Sequence, residues 1–342
     1  MPRSGSCWVR RADLALAAAV VVLAACSSSS ASNSQSGGSS ANAAALNSAY
    51  TTVVNEVGPS VVLIEAGQGL GSGEVYDNQG DIVTNAHVVG SATSFRVTTR
   101  AGKQLAGTLV GSFRPDDIAV IRVNGQGLKP VTWGDSSQLK VGQPVMALGN
   151  PLGLEGSATS GVVSALNRQV DEGPGGGTLP DAVQTSAPIN PGNSGGALAD
   201  LQSQVIGIPT LAALSPGSQG AQAPGIAFAI SSDRARLIAD QLIRSGTVSN
   251  SHRAYLGIQP GDTAQGKGAI VASVIPGGPA AAAGISEGDV ITAVNEQQTP
   301  SASALSKVLA ALSPGQTVPV ALVRSNGSTA TVRVTLGQLP NS

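Results

Sequence analysis

The sequence has few of the residues that mark several large classes of protein. Of its 342 residues only eight are aromatic, two are cysteine and two are histidine, and the formal net charge is −1. A near-neutral chain without blocks of like charge has no field that attracts nucleic acid, so we expect no nucleic-acid partner. Two distant histidines and no thiol cluster leave no ligand set for zinc, so we expect neither a metal nor a cofactor.

The residues that are abundant favour strands and turns. The chain contains 44 glycines and 20 prolines, and its apolar residues are mainly small or aliphatic. Short apolar runs separated by Gly, Asn and Asp continue to about residue 230, among them a strand predicted over residues 118–123. This pattern is typical of a β-barrel or a β-sandwich. The length allows two ordinary domains with appendages.

The first 26 residues predict an export signal. Three arginines precede an apolar run at residues 14–25, and these twelve residues are fewer than the roughly 20 that span a membrane. The run ends in Leu23-Ala24-Ala25-Cys26, which resembles a bacterial lipobox and implies that Cys26 is lipidated and becomes the first mature residue. The alternative is an ordinary cleaved signal with an incidental cysteine, which would leave a secreted protein.

The rest of the chain divides into a tether and two domains. Residues 27–45 are almost all small or polar, and they predict a disordered tether because they bury too little apolar surface to offset chain entropy. A first domain is predicted at residues 46–246, and it begins with apolar residues at helical spacing over 46–57. A polar linker at residues 247–253 precedes a second domain at residues 254–338, in which strands are predicted over residues 255–259 and 269–274.

The densest chemical signal is a serine surrounded by turn-forming residues, Asn190-Pro191-Gly192-Asn193-Ser194-Gly195-Gly196. Such a loop can curl until successive N–H groups point at one spot. An acyl-transfer enzyme needs this arrangement, with a hydroxyl nucleophile beside amides that bind the developing oxyanion. We therefore predict Ser194 as the nucleophile, with the amides of Gly192 and Ser194, and Asn193 between them, as the oxyanion hole. The alternative is a plain β-turn.

A serine hydroxyl needs a base to act as a nucleophile near neutral pH. His252 lies in the polar linker and is typical of a solvated loop residue, whereas His87 directly follows a short apolar strand. His87 is therefore the predicted base, and a core histidine with satisfied nitrogens is the alternative. The carboxylate that orients the ring is either Asp117 or its neighbour Asp116, because strand alternation does not choose between them.

Four motifs occur together: Gly71-Ser72-Gly73, Thr84-Asn85-Ala86-His87-Val88-Val89, Asp117-Ile118-Ala119-Val120 and Gly192-Asn193-Ser194-Gly195-Gly196. In this order and at these separations they resemble the HtrA/DegP-type serine proteases, over about residues 46–337. The resemblance implies a mainly β protein with a chymotrypsin-like double β-barrel, in which His87 and Asp117 lie on the first barrel and Ser194 on the second. It favours Asp117 over Asp116, because the family's acid directly precedes such a strand.

The side chains near the predicted nucleophile indicate an apolar specificity. No acidic residue lies between Gln184 and Ser194, so nothing there would pair with a substrate Lys or Arg. Ile189, Ile226 and Phe228 instead predict a substrate pocket for small aliphatic side chains, since burial of an unpaired charge is costly.

The second domain resembles a PDZ domain. Tyr255-Leu256-Gly257-Ile258 is similar to the loop whose backbone amides bind a peptide's C-terminal carboxylate while the peptide adds a strand to the sheet edge. Residues 276–290 resemble the bacterial PDZ pattern, and a helix over 302–312 would wall the groove. The resemblance implies one small α+β PDZ domain; the alternative is a packing domain without a ligand of its own.

The resemblance implies an exported serine endopeptidase of protein quality control, which cleaves unfolded or misfolded proteins and peptides, with a PDZ domain that binds substrate C-termini or regulates activity. A lipid on Cys26 would hold it on the outer face of the bacterial cell membrane. The alternative function is a chaperone-like or peptide-binding protein with a resting protease domain, regulated by loops that segments 169–182 and 209–224 resemble. Relatives are homotrimers joined through aromatic residues at the start of the protease domain, where Tyr50 is the one aromatic.

Overall fold

The structure is a computed structural model. It describes residues 36–340 except for Gln68, Gln126, residues 151–155, residues 172–177, Pro191, residues 215–221 and Gln265. The predicted signal peptide with Cys26, and the first part of the predicted tether, lie outside the described residues. Within the described ranges, no helix has the length and apolar character needed to cross a bilayer.

A helix of 22 residues, α1 (Ser36–Val57), precedes the sheets. It begins well before Leu46, so the described part of the segment that the sequence predicted as a disordered tether is helical. Residues 41–46 read Ala-Asn-Ala-Ala-Ala-Leu, and alanine has the highest intrinsic helix propensity, which accounts for the difference. Near the other end of α1, Val53 and Val57 are buried in a cluster with side chains of the second barrel.

The first barrel is closed by six antiparallel strands in the order β1-β2-β3-β6-β5-β4. Their bounds are β1 Val61–Ala66, β2 Gly69–Val75, β3 Asp81–Thr84, β4 Ser94–Thr98, β5 Gln104–Phe113 and β6 Ile118–Val123. Its interior is filled by β-branched side chains that fit a pleated surface, among them Ile64, Ile82 and Ile121, all fully buried. A one-turn helix, α2 (Ala86–Val89), follows β3 and carries His87.

The second barrel is also closed by six strands, in the order β10-β11-β12-β9-β8-β7. Their bounds are β7 Pro144–Gly149, β8 Ser157–Asp171, β9 Thr178–Thr185, β10 Ala197–Asp200, β11 Val205–Leu214 and β12 Gln222–Ser231. Helix α3 (Ser232–Ser245) follows and buries Ile238 and Leu242 in a cluster to which both barrels contribute. The predicted double-barrel fold is confirmed.

The second domain is a small α+β sheet. Its elements are β13 Ala254–Tyr255, β14 Ile258–Asp262, β15 Ala269–Val274, α4 Pro279–Ala282, β16 Val290–Val294, β17 Gln297–Gln298, α5 Ala302–Ala310, β18 Thr317–Val323, β19 Thr329–Thr335 and β20 Gly337–Gln338. The main sheet has the order β14-β15-β16-β18-β19. One strand that the sequence predicts over residues 255–259 is two strands, because Gly257 has a φ of 76° that interrupts the extended backbone.

The two polar segments predicted as regulatory loops are partly strand. The described ends of segment 169–182 belong to β8 and β9, where Val170 pairs with Leu179. Those of segment 209–224 belong to β11 and β12, where Leu214 pairs with Gln222. Both segments therefore extend β-hairpins of the second barrel, and their regulatory role stays a prediction.

Candidate active site

The imidazole of His87 is held by the carboxylate of Asp117. His87 follows strand β3 and Asp117 directly precedes strand β6, and these two strands are paired in the first barrel. His87 Nδ1 lies 2.8 Å from Asp117 Oδ2, and the backbone amide of His87 donates to Asp117 Oδ1 at 2.8 Å. A carboxylate only accepts, so Nδ1 carries the proton and Nε2 of the neutral ring keeps its lone pair. The Asp117 side chain is 4% exposed and that of His87 50%.

The backbone of Asp117 adopts a conformation that is unusual for a residue with a side chain. Its φ of 52° and ψ of 38° are left-handed, at the end of a 3-10 turn, which costs about 1 kcal/mol. Three hydrogen bonds hold it there: its amide donates to Arg114 O at 3.0 Å, and its carbonyl accepts from the Ala86 amide at 3.0 Å and from Asn85 Nδ2 at 3.1 Å. Strain of this kind persists where the surroundings over-determine it.

Thr210 connects this pair to Ser194. It lies on β11 of the second barrel and is 3% exposed. Its Oγ1 donates to Asp117 Oδ2 at 2.6 Å, and its carbonyl oxygen accepts from Ser194 Oγ at 3.0 Å. The sequence predicted no role for Thr210, although the apolar run Val205-Ile206-Gly207-Ile208 was a signal for a strand that leads directly to it.

Two backbone amides of the loop around Ser194 have no acceptor among the described residues. Gly192 has a φ of 102°, a region that favours glycine, and the Asn193 amide donates to Asn190 O at 3.0 Å within the turn. The amides of Gly192 and Ser194 donate to no acceptor in the part of the chain that the structure describes. Two of the three residues in the predicted oxyanion hole therefore have amides available, and that of Asn193 is occupied.

The structure does not bring the three residues of the predicted substrate pocket onto one face. Ile189 is buried in the same cluster as Ala227 and Ala229. Side chains alternate along a strand, so Ile226 and Phe228 lie on the opposite face of β12. Ile226 is 38% exposed, and Phe228 packs against the cluster shared by the two barrels. The apolar pocket stays a prediction.

Asp116, the alternative acid, has other partners. Its carboxylate is fully buried, with Oδ2 accepting from Arg234 Nε at 2.7 Å and Oδ1 from Arg253 Nη1 at 2.9 Å. Arg253 also donates to the carbonyl of Pro115. Because Arg234 belongs to α3 and Arg253 directly precedes β13, Asp116 joins the first barrel to a helix and to the linker. Asp117, not Asp116, is the carboxylate at the imidazole.

Glu74 is a buried carboxyl group on β2. Neither of its carboxyl oxygens has a hydrogen-bond partner among the residues described, and its burial is complete. Burial raises the pKa of Glu74 well above its ordinary value, because the charged form is not solvated. Elsewhere in the described chain, no group of three or more His, Cys, Asp or Glu residues is placed to hold a metal ion.

The predicted carboxylate-binding loop likewise contains two amides without an acceptor in the described part of the chain. Tyr255 ends β13, Leu256 and Gly257 form the turn, and Ile258 begins β14. The carbonyls of Leu256 and Gly257 accept from the amides of Ala280 at 2.8 Å and Ile275 at 2.9 Å. Their own amides donate to no acceptor within the described ranges. This arrangement can bind a carboxylate.

Two family descriptions match the chain. A trypsin-like peptidase domain matches residues 71–208, which include His87, Asp117 and Ser194. A PDZ domain matches residues 254–336. The one PDZ domain predicted from the sequence is confirmed.

Proteins of several organisms are similar to this chain. Serine protease PepD of Mycobacterium tuberculosis is 42% identical over 306 residues, which cover 84% of this chain and 65% of PepD. A probable periplasmic serine endoprotease of Halomonas elongata, described as DegP-like, is 41% identical over 293 residues, which cover 81% and 58% of the two chains. The chain thus spans less than two thirds of the length of these curated relatives.

Solved structures of similar proteins match over nearly their whole length. The serine endoprotease from Yersinia pestis is 33% identical, with a TM-score of 0.59 over 85% of this chain and 98% of that one. The HtrA-type protease AlgW with a decapeptide is 28% identical, with a TM-score of 0.61 over 86% and 99% of the two chains.

Proposed function

The chain belongs to the family of HtrA-type serine proteases, and we propose that it is a serine endopeptidase that cleaves unfolded or misfolded proteins. The observation that carries the proposal is the hydrogen-bonded series from His87 through Asp117 and Thr210 to Ser194, which joins the two barrels. An imidazole with its Nδ1 proton on a carboxylate is prepared to accept a second proton at Nε2.

Acylation uses these groups in a fixed order. Ser194 Oγ attacks the scissile carbonyl while His87 Nε2 takes its proton, and Asp117 stabilises the imidazolium. The amides of Gly192 and Ser194 bind the oxyanion of the tetrahedral intermediate. His87 then gives its proton to the leaving amine, and the C–N bond breaks. Water, deprotonated by His87, hydrolyses the acyl-enzyme in the same way.

A peptide substrate is proposed to contact both domains. The unused amides of Leu256 and Gly257 are suited to a C-terminal carboxylate, and a solved relative carries the description "with decapeptide". Because no acidic residue lies between Gln184 and Ser194 to pair with a substrate Lys or Arg, we propose that the substrate side chain before the scissile bond is aliphatic rather than basic. Cleavage of peptides that differ only in Val or Arg before the scissile bond tests this specificity. Faster cleavage of the Arg peptide contradicts it.

We place this activity outside the cytoplasm, because curated relatives are described as periplasmic. We further propose that the chain is exported by its signal peptide and anchored to the outer face of the membrane by a lipid on Cys26. Metabolic labelling with a fatty-acid analogue tests the anchor: label is expected on the full chain and not on Cys26→Ser. A homotrimer with Tyr50 at its contacts is also proposed, and light scattering of wild type and Tyr50→Ala tests it.

Degradation of a casein-like unfolded protein tests the proposed activity. Wild type is expected to degrade it and Ser194→Ala is not. Ser232→Ala is a matched control, because it also loses a buried hydroxyl, one that donates to Gly134 O at 2.8 Å. Equal degradation by wild type and Ser194→Ala removes the proposal. Protection of a substrate from aggregation by Ser194→Ala would support the alternative chaperone function.

A further inference from the structure

Ser72, in the motif Gly71-Ser72-Gly73, contacts the nucleophile loop of the other barrel. It lies on β2 and is fully buried. Its hydroxyl donates to Gly192 O at 2.5 Å and accepts from the Asn150 amide at 2.8 Å. Its backbone amide donates to Ser194 O at 2.8 Å. One residue of the first barrel thus binds two carbonyl groups of the loop that carries the nucleophile.

The hydroxyl of Ser72 holds one particular peptide group. The carbonyl of the Gly192–Asn193 peptide is bound by Ser72 Oγ, and its N–H is bound by Asn190 O at 3.0 Å. The peptide groups on either side supply the unused amides of Gly192 and Ser194. Because consecutive peptide planes share a Cα atom, the orientation of the central one limits where the two flanking N–H groups point.

Such a restraint is needed because the loop contains glycine at the critical position. Gly192 has a φ of 102°, and glycine reaches other φ values at little cost, so the chain itself does not favour one orientation of the following peptide. The surroundings of the loop are closely packed and leave no space for a larger residue at two glycines. A Cβ on Gly195 would lie 2.2 Å from Ser72 O, and one on Gly149 would lie 2.5 Å from Asn193 Oδ1.

We propose that Ser72 is a positioning residue of the oxyanion hole: it keeps the Gly192–Asn193 peptide in the orientation that directs the Gly192 and Ser194 amides to one point. The inference rests on the proposed serine endopeptidase function. Without the hydroxyl, Gly192 O loses its buried donor, and the peptide is restrained by the hydrogen bond from the Asn193 amide to Asn190 O without the second one from Ser72. The oxyanion is then less well bound, while the bound substrate is affected little.

Steady-state kinetics on a peptide substrate test this role. Ser72→Ala is expected to lower kcat about 10²-fold and to leave KM within about threefold, because the lost interaction acts in the transition state. Ser72→Thr, which keeps the hydroxyl, is expected to recover most of kcat. Ser232→Ala loses an equally buried hydroxyl far along the chain from the loop and is expected to keep kcat within about twofold. A merely structural role would lower the fraction of folded enzyme and give no such rescue.

Hydrogen exchange of residues 187–198 gives a second readout that does not need activity. Exchange is expected to be about tenfold faster in Ser72→Ala and unchanged in Ser232→Ala. An active wild type with full kcat in Ser72→Ala overturns the role of Ser72. An inactive wild type overturns the proposed function, and the exchange rates then decide whether Ser72 orders the loop. Should Ser72→Ala not fold, Ser72→Cys, with a weak donor of similar size, is expected to show the same loss of kcat.

Discussion

Asp116 and Asp117 are neighbours in the chain and both are buried, yet their carboxylates bind different kinds of partner. Asp117 accepts from the amide and ring of His87 and from Thr210 Oγ1, all at the cleft between the barrels. Asp116 accepts from Arg234 and Arg253, on helix α3 and in the linker. Asp116 is the last residue of a 3-10 turn, and the left-handed backbone of Asp117 ends that turn, so these consecutive side chains contact the scaffold and the candidate site respectively.

The difference between the two carboxylates is electrostatic. The charge of Asp116 is balanced by two guanidinium groups, so little of it is left to favour an imidazolium. Apart from the ring of His87, the partners of Asp117 are neutral donors, and a carboxylate with neutral partners stabilises a positive charge that develops on the ring. Adjacent positions in the chain therefore do not make the two carboxylates equivalent, and the charge of their partners distinguishes them.

The largest effect is expected from Asp117→Asn. Asparagine tolerates the left-handed backbone, so the fold should be retained, but an amide that donates to Nδ1 favours the wrong tautomer of His87. We expect kcat on a peptide substrate to fall about 10⁴-fold with little change in the melting temperature. A fall in kcat of less than about tenfold would mean that the two aspartates do not differ as described.

The second effect concerns stability rather than catalysis. Asp116→Ala leaves Arg234, which is only 8% exposed, without its anion, and we expect the free energy of unfolding to fall by about 3–5 kcal/mol. Urea denaturation measures it, and the folded enzyme should lose far less of its kcat than Asp117→Asn. The double variant Asp116→Ala/Arg234→Ala should be destabilised by less than the sum of the two single changes. Additive losses would contradict the pairing.

Glu74 extends the comparison to a buried acid whose carboxyl oxygens have no hydrogen-bond partner among the residues that the structure describes. Because burial raises its pKa, the folded protein binds this proton more tightly than the unfolded chain. The stability it contributes is complete below the unfolded pKa and is lost as the pH rises towards the folded pKa. Relative to Glu74→Gln, wild type should lose about 1.4 kcal/mol of unfolding free energy per pH unit in that window. Parallel stability curves for the two proteins would contradict the raised pKa of Glu74.

The smallest effect is expected from Thr210→Val, which removes one neutral donor from Asp117. A hydrogen bond to a charged group contributes about 1.5–3 kcal/mol, and loss of part of that in the transition state lowers kcat about tenfold. KM should change little. Thr299→Val is the control, since it removes a buried hydroxyl that donates to Ile291 O at 3.1 Å in the second domain. Equal kcat values for the two variants would remove Thr210 from the site.

Much of the fold could be predicted from the sequence, because barrel strands are local patterns. Strands Ile118–Val123 and Ala269–Val274 have the predicted bounds, as runs of β-branched and small apolar residues between turns. Helix α1 was misjudged at its start, since polarity alone suggested a tether where an alanine-rich segment favours a helix. The strand predicted over residues 255–259 is divided at Gly257, which has a positive φ. The sequence does not predict this, because glycine adopts positive and negative φ values about equally readily.

The site was less predictable where it depends on how the barrels dock. The Gly-rich sequence around Ser194 and the scarcity of histidine indicated two residues of the site, Ser194 and His87. The contact of Thr210 with Asp117 joins residues 93 positions apart, and that of Asp116 with Arg234 joins residues 118 apart. No local pattern determines such contacts. For this reason the residue pattern did not distinguish Asp116 from Asp117, and it predicted no role for Thr210 or Ser72.

The division of the site between two barrels has a consequence for biosynthesis. A ribosome completes the barrel with His87 and Asp117 before it reaches Ser194, and Thr210 and strand β12 come later still. Under the proposed mechanism no partial chain carries both nucleophile and base in working order, because the oxyanion loop also needs Ser72 from the earlier barrel. The proposed proteolytic activity would therefore arise only after translation of both barrels and their docking, and a cell that makes this protein would be protected from its unfinished forms.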